Sequence, residues 1–210
     1  MREYHKIQTM FKRDLQKNKI IYDDWTLPEF EYLKNNTWEF TEKVDGTNIR
    51  IMFDGVKIKY GGKTDNAQIP MDLINRLDVL FSGREDMFKV LFENSVDVCL
   101  YGEGYGAGIQ KGGKYGDSKD FVLFDVKIGD WWLERNNVDD IANKLSIKSV
   151  PVIGEGTLYD AINIVKGGRQ SQWGRFVAEG IVARPKVELK QRSGRRIITK
   201  IKYVDFSEVK

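Results

Sequence analysis

The run Glu42-Lys43-Val44-Asp45-Gly46, followed by Thr47-Asn48, sets one lysine beside two carboxylates and a glycine. A lysine amine becomes a covalent nucleophile when it is held without its proton. Lysine suits that role because burial and neighbouring cations move its proton equilibrium readily. A glycine at position 46 permits a tight turn or the close approach of backbone to a phosphate. The same residues also describe a solvated hairpin turn with a Lys–Asp pair, so the run by itself is a hypothesis.

Four further segments follow Lys43 in order. Val98-Cys99-Leu100-Tyr101-Gly102-Glu103-Gly104-Tyr105-Gly106 reads as a buried strand that delivers Glu103 where the chain enters a glycine-rich loop. A carboxylate there can accept hydrogen bonds from a ribose hydroxyl. Phe121-Val122-Leu123-Phe124-Asp125-Val126 is a strand whose Phe124 could stack on a base. Ala178-Glu179-Gly180-Ile181-Val182-Ala183-Arg184 again sets a carboxylate beside a glycine and a strand. In Ile198-Thr199-Lys200-Ile201-Lys202-Tyr203 the two lysines are two apart on a strand, so both project from one face and can neutralise a triphosphate. Each segment has an ordinary reading: a core Phe, a solvated Glu, a half-buried edge strand. The chemistry rests on all five occurring together.

The elements that must position these groups follow from periodicity. Residues 6–18 are polar with scattered apolar positions and predict a short helix; Pro28–Leu33 predicts another. Trp38–Lys43, Ile49–Phe53 and Val56–Tyr60 read as strands separated by turns at Asp45-Gly46 and Asp54-Gly55. Helices are expected over Pro70–Asn94, where Met71, Ile74, Leu77, Leu80 and Phe81 recur at helical spacing and Ser82-Gly83 interrupts. Val96–Gly102 reads as a strand, 104–116 as a glycine-rich loop, and Phe121–Val126 with Trp131–Glu134 as paired strands. Asn137–Leu145 and 158–166 read as helices, and Gly180–Arg184 with a hairpin at Ser193-Gly194 closes the chain. The sum is an α+β fold with mainly antiparallel strands.

At 210 residues, 41% hydrophobic and 31% charged, the chain can bury a sizeable core, and one domain over 1–210 is the economical reading. No apolar run reaches the length of a membrane span, and no signal-like apolar stretch follows Met1. Cys99 is the single cysteine, which fits a reducing compartment such as the cytoplasm. With His5 as the only histidine, a Cys/His zinc site is excluded. Net charge is +3 but uneven: Lys186, Lys190, Arg192, Arg195, Arg196, Lys200 and Lys202 crowd the last quarter. Such a face suits nucleic acid or nucleotide phosphates, and equally an aggregation-resistant edge hairpin.

Taken together, the five segments resemble the covalent nucleotidyltransferases, the polynucleotide ligases and messenger-RNA capping enzymes. Within them the chain is most similar to nick-sealing RNA ligases of the phage T4 and trypanosome RNA-editing type. Glu42-Lys43-Val44-Asp45-Gly46-Thr47-Asn48, Tyr101-Gly102-Glu103, Gly108-Ile109-Gln110-Lys111 and Tyr115-Gly116 carry that likeness, which runs from about Trp38 to Tyr203. The resemblance implies a ligase adenylation fold, ATP-grasp-like, with antiparallel sheets flanked by helices. It implies ATP with Mg²⁺ or Mn²⁺, and Lys43 as the nucleophile that becomes lysyl-AMP. Glu42 falls where the family contacts adenine, Glu103 where it holds ribose, and Phe124 where a ring stacks on the base. Gly46 and Asn48 fall in the nucleotide-binding motif, Glu179 would hold the metal, and Lys200 and Lys202 the phosphates. Asn48 favours RNA, whereas Asp45 is commoner in DNA ligases. Lys63 takes the place of a family arginine, a point charge instead of a forked donor.

The expected activity is sealing of 3′-hydroxyl and 5′-phosphate ends through an adenylylated 5′ end. The expected partners are RNA ends or a nicked duplex, with no membrane. The chain ends seven residues after Tyr203, so the expectation is an adenylation domain without an appended barrel or helical domain. Arg192, Arg195 and Arg196 would then contact nucleic acid, or a partner protein would stand in. Alternatives on the same scaffold are a small DNA or hybrid ligase and a guanylyltransferase, separated by ATP against GTP and by RNA against DNA nicks. A non-catalytic nucleic-acid-binding module would take no AMP at all.

Overall fold

The computed structural model describes residues 3–14, 16, 17 and 19–206. In chain order the elements are β1 (Gln8–Thr9), β2 (Phe11–Arg13), β3 (Ile20–Trp25), α1 (Pro28–Leu33), β4 (Trp38–Lys43), β5 (Thr47–Phe53) and β6 (Ile58–Gly61). Then come α2 (Met71–Phe81), α3 (Glu85–Leu91), β7 (Val98–Tyr105), β8 (Asp120–Ile128), β9 (Trp131–Trp132) and α4 (Arg135–Leu145). The last are β10 (Lys148–Ser149), β11 (Val152–Gly156), α5 (Leu158–Lys166), β12 (Gly180–Pro185) and β13 (Thr199–Lys202). The fold is α+β, and most strand pairs are antiparallel; β1–β13 and β10–β8 run parallel.

The chain divides into two compact units. The first is Asp45–Val150 with the described part of Met1–Tyr4, built on the sheet β10-β8-β7-β5-β6 with β9 beside β8. One face of that sheet buries Ile49, Ile51, Phe53, Leu100 and Leu123 against the apolar sides of α2, α3 and α4. On α2 the buried stripe is Leu73, Leu77, Leu80 and Phe81, while Met71 stays exposed. The Asp54-Gly55 hairpin and the break after α2 form as the sequence predicts. Asp54 Oδ1 accepts the amides of Val56 and Lys57 at 3.0 and 2.8 Å, the local bond that makes Asp a turn residue.

The second unit is His5–Val44 with the described part of Pro151–Lys210. Its five-stranded sheet runs β1-β13-β12-β4-β11. Trp38, Phe40, Ile181, Ala183 and Ile201 pack with Phe30 and Leu33 of α1 and with Leu158, Ala161, Ile162 and Val165 of α5. Pro28 begins α1, where its missing N–H costs nothing. Thr157 and Asp160 form a reciprocal capping box at the start of α5.

Three expectations are corrected. The described residues of 6–18 are not helical: they hold β1 and β2. Met10 and Phe11 are buried, and the Met10 N–H donates to Lys200 O at 3.0 Å, so tertiary pairing and burial override local propensity. Asp45-Gly46 is no hairpin turn, because β4 and β5 belong to different sheets. β7 continues to Tyr105, so Glu103 and Gly104 lie within a strand instead of at a loop mouth. No helix among the described residues is long and apolar enough to cross a membrane.

Candidate active site

In the second unit, sheet register puts Lys43 of β4 and Lys202 of β13 on either side of Gly180 of β12. A Cβ at position 180 would land on the Ile201 carbonyl oxygen and 2.8 Å from Lys202 Cα, so β12 and β13 can lie this close only with glycine there. Glu179, one residue before the strand, reaches both amines. Lys43 Nζ donates to Glu179 Oε2 at 2.6 Å and Lys202 Nζ contacts Oε1 at 2.7 Å. The Tyr203 N–H donates to the Glu179 carbonyl at 2.8 Å and fixes its backbone. Side-chain exposures of 20%, 14% and 34% for Lys43, Glu179 and Lys202 put the triad between surface and interior, where ions screen less than on an open surface. Two ammonium groups share one carboxylate, leaving an excess positive charge. Lys200, two residues before Lys202 on β13, lies on the same half-exposed face. The arrangement offers an amine for covalent chemistry and a positive face for a polyphosphate.

Glu42 is adjacent to Lys43 yet faces the other side of β4, with Trp38 and Phe40, as strand alternation requires. It is only 2% exposed. A carboxylate so buried must be hydrogen-bonded. Ser171 Oγ donates to Oε1 at 2.5 Å and the Gln172 N–H donates to Oε2 at 2.8 Å. The Trp173 N–H in turn donates to Ser171 Oγ at 3.1 Å. Ser171 and Gln172 were not foreseen: the segment has no periodicity, and nothing local marks a serine 129 residues away as a carboxylate's partner.

The remaining predicted residues lie in the first unit. Gly46 has no room for a side chain, since a Cβ there would land on the Gly104 carbonyl oxygen. The Asp45 N–H donates to Tyr115 Oη at 3.2 Å, tying this segment to the loop after β7. Asn48 of β5 pairs in register with Glu103 of β7, both half-buried. Asn48 Oδ1 is buried without a hydrogen-bond partner among the described residues. Phe124 sits at a bulge of β8, where Asp125 and Leu123 face the consecutive Tyr101 and Gly102. A bulge re-aims a side chain. Phe124 is half-buried, with the Tyr4 ring edge-on at 5.0 Å. Tyr4, which lies in none of the five motifs, also donates from its hydroxyl to the fully buried Asp125 at 2.5 Å. Lys63 is exposed in the loop after β6. Buried Arg50 holds that loop, donating from Nε to Gly62 O at 2.8 Å and from Nη2 to Asp65 at 2.7 Å.

The three arginines of the last hairpin part company. Arg192 and Arg195 are exposed. Arg196, expected on the same cationic surface, is 5% exposed and forks onto Glu188, with Nε–Oε1 2.6 Å and Nη2–Oε2 3.0 Å. A guanidinium matched to a carboxylate in this way is a structural pair.

A metal must be judged by the donors present. Among the described residues no three His, Cys, Asp or Glu side chains come together to hold one. Glu179 is a single carboxylate at the cationic cluster. That donor set fits Mg²⁺ or Mn²⁺ arriving with phosphates, since Mg²⁺ keeps several waters and takes one or two carboxylates plus substrate oxygens.

Comparison with known proteins gives one family: a family model described as RNA ligase matches residues 36–204. No curated protein matches the sequence. Solved structures do. A substituted Naegleria gruberi RNA ligase with ATP and Mn aligns at TM-score 0.62 and 20% identity, covering 82% of this chain and 51% of that one. A substituted apo form aligns at 0.64 and 19%, covering 97% and 58%. The form with PPi aligns at 0.64 and 19%, covering 93% and 56%. At these identities the likeness is one of fold, and the chain spans little more than half the length of those ligases.

Proposed function

The chain belongs to the RNA ligase family, and on that premise we propose that it is the adenylation domain of an ATP-dependent RNA ligase. The observation that carries this reading is the Glu179 carboxylate bridging Lys43 and Lys202 across Gly180. It brings two lysine amines to one face of one sheet, which supports a nucleophile there beside a cation for the phosphates.

Lys43 Nζ attacks the α-phosphorus of ATP. A P–N bond forms to AMP as the bond to pyrophosphate breaks. The nearest acceptor for the proton that the amine must shed is Glu179 Oε2, 2.6 Å away. Lys202 and Lys200 bind the phosphates and offset charge that builds on the leaving pyrophosphate. A divalent ion carried in with ATP, held by Glu179, would polarise the phosphoryl oxygens. As the family resemblance implies, Glu103 takes the ribose and Phe124 the base, and Gly46, Asn48 and Lys63 belong to the nucleotide-binding set. The adenylate then passes to an RNA 5′-phosphate, and a 3′-hydroxyl displaces AMP to form the phosphodiester. The Naegleria ligase structures with ATP and Mn and with PPi support this choice of nucleotide and leaving group. Cys99, the lone cysteine, is buried and unpaired, which supports a reducing compartment such as the cytoplasm.

Intact-mass spectrometry tests the reading. Incubation with ATP and Mg²⁺ should add one AMP to the wild type and none to Lys43→Ala, and GTP should add nothing. A wild-type chain that gains no mass overturns the proposal.

A further inference from the structure

The hairpin formed by residues 169–177 leads into Glu179 and is held by hydrogen bonds along its length. Gln170 and Val177 pair across it, the Ser171 N–H donates to Phe176 O at 2.8 Å, and the Ala178 N–H donates to Arg169 O at 3.0 Å. From beneath, Glu42 grips Ser171 and Gln172, and Ser171 passes the constraint to Trp173. The chain then runs through Ala178 directly into Glu179.

The composition of this stretch is one-sided. Between Asp160 and Glu179 the sequence holds Lys166, Arg169 and Arg175 and no carboxylate. Arg175 is exposed, and Arg169, Trp173 and Phe176 are half-buried. Arg169 Nε is buried with no hydrogen-bond partner among the described residues. Glu42, the carboxylate nearest in the hydrogen-bond network, is buried and committed to the loop backbone and Ser171, so it does not offset those cations at the surface. Guanidinium groups and an aromatic ring carried on one preorganised hairpin, with Arg169 at its base and Arg175 near its tip, are the composition that binds single strands with little sequence preference: rings stack on bases and cations track phosphates. A rigid tip also loses less freedom when a strand is bound.

We propose that this hairpin is a contact surface for the RNA strand to be joined, with Trp173 as a stacking face and Arg175 and Arg169 as phosphate contacts. The inference rests on the ligase reading for its choice of polymer.

Binding of a fluorescently labelled nicked RNA duplex, with a 5′-phosphate at the nick and no ATP present, tests it on the full chain. Arg175→Ala should weaken binding about 3- to 10-fold and lower the slope of log affinity against log salt by roughly 0.7–0.9, one phosphate contact. Arg175→Lys should keep the slope. Trp173→Ala should weaken binding about 5-fold or more, with Trp173→Phe retaining most of it. Arg175 is exposed, so its variants stay informative even where replacing Trp173 disturbs folding. Unchanged affinity and slope in Arg175→Ala overturn the proposal. The AMP mass gain needs no RNA, so the two readings fail separately. A chain that binds RNA through the hairpin but takes no AMP loses only the ligase chemistry. One that takes AMP and ignores the hairpin changes loses only the contact surface.

Discussion

Two neighbouring residues on β4 face opposite sides of the sheet and meet different partners. Lys43 projects to the half-exposed face and meets Glu179; Glu42 projects inward and meets Ser171 and Gln172. Sequence motifs treat the pair as one nucleotide-binding unit, and the expectation for Glu42 was a contact to adenine. Both its oxygens are engaged within the chain by Ser171 and Gln172. The two substitutions should therefore differ in kind. On the proposed reading Lys43→Ala should abolish AMP gain and cost about 1 kcal/mol or less, because a partly exposed ion pair contributes little and Glu179 keeps Lys202. Glu42→Gln removes a buried charged acceptor and should cost about 1.5–3 kcal/mol, read as a lower denaturant midpoint with faster amide exchange at Gln172 and Trp173. Equal midpoints for the two variants would refute this division.

At the scale of elements, the site exists because three strands approach closely at one row. Gly180 separates Lys43 from Lys202 with only backbone between them. Gly180→Ala should drive β13 away from β12, costing about 1–3 kcal/mol from overpacking. It should also lower AMP gain in chains that remain folded, since the amines then no longer share Glu179. Circular dichroism paired with intact mass separates the two effects; a folded variant with undiminished AMP gain would show that the spacing is irrelevant. The elements themselves were largely legible. α1, the break between α2 and α3, α4, α5, the Asp54-Gly55 hairpin and β12 all follow from periodicity, caps and turn residues. The miss at 6–18 has a physical cause. β1 and β2 are two and three residues long, too short to show a period, and they form because Met10 and Phe11 are buried in the second core and Met10 bonds to Lys200.

For the molecule as a whole, the two units carry separate apolar cores, so unfolding need not be a single transition. The first unit contains a titration that reports on it alone. Burial pushes the Cys99 thiol up to about 11 from an ordinary value of 9.0. The folded state thus holds a proton that the unfolded chain releases first. The stabilisation is complete below about pH 9 and is lost as pH rises through about 11. Denaturant-dependent amide exchange over 45–150 should show that unit weakening between pH 8 and pH 11, with Cys99→Ala removing about 2–3 kcal/mol of the loss at most, since burial also pushes up the Tyr60 and Tyr101 hydroxyls in the same unit. A pH-independent profile would contradict the burial. What the sequence alone determined was the order of the five motifs, the alternation that puts Lys200 and Lys202 on one face, and the α+β class, because each is written in local spacing. Tertiary structure alone decided that Glu179 bridges Lys43 and Lys202, that Glu42 grips Ser171, and that Arg196 turns inward to Glu188 while Arg192 and Arg195 stay out. Lys43 and Glu179 lie 136 residues apart, and Glu42 and Ser171 lie 129 apart. Sheet register and hairpin closure bring such residues together, and neither is encoded in the period of any one strand.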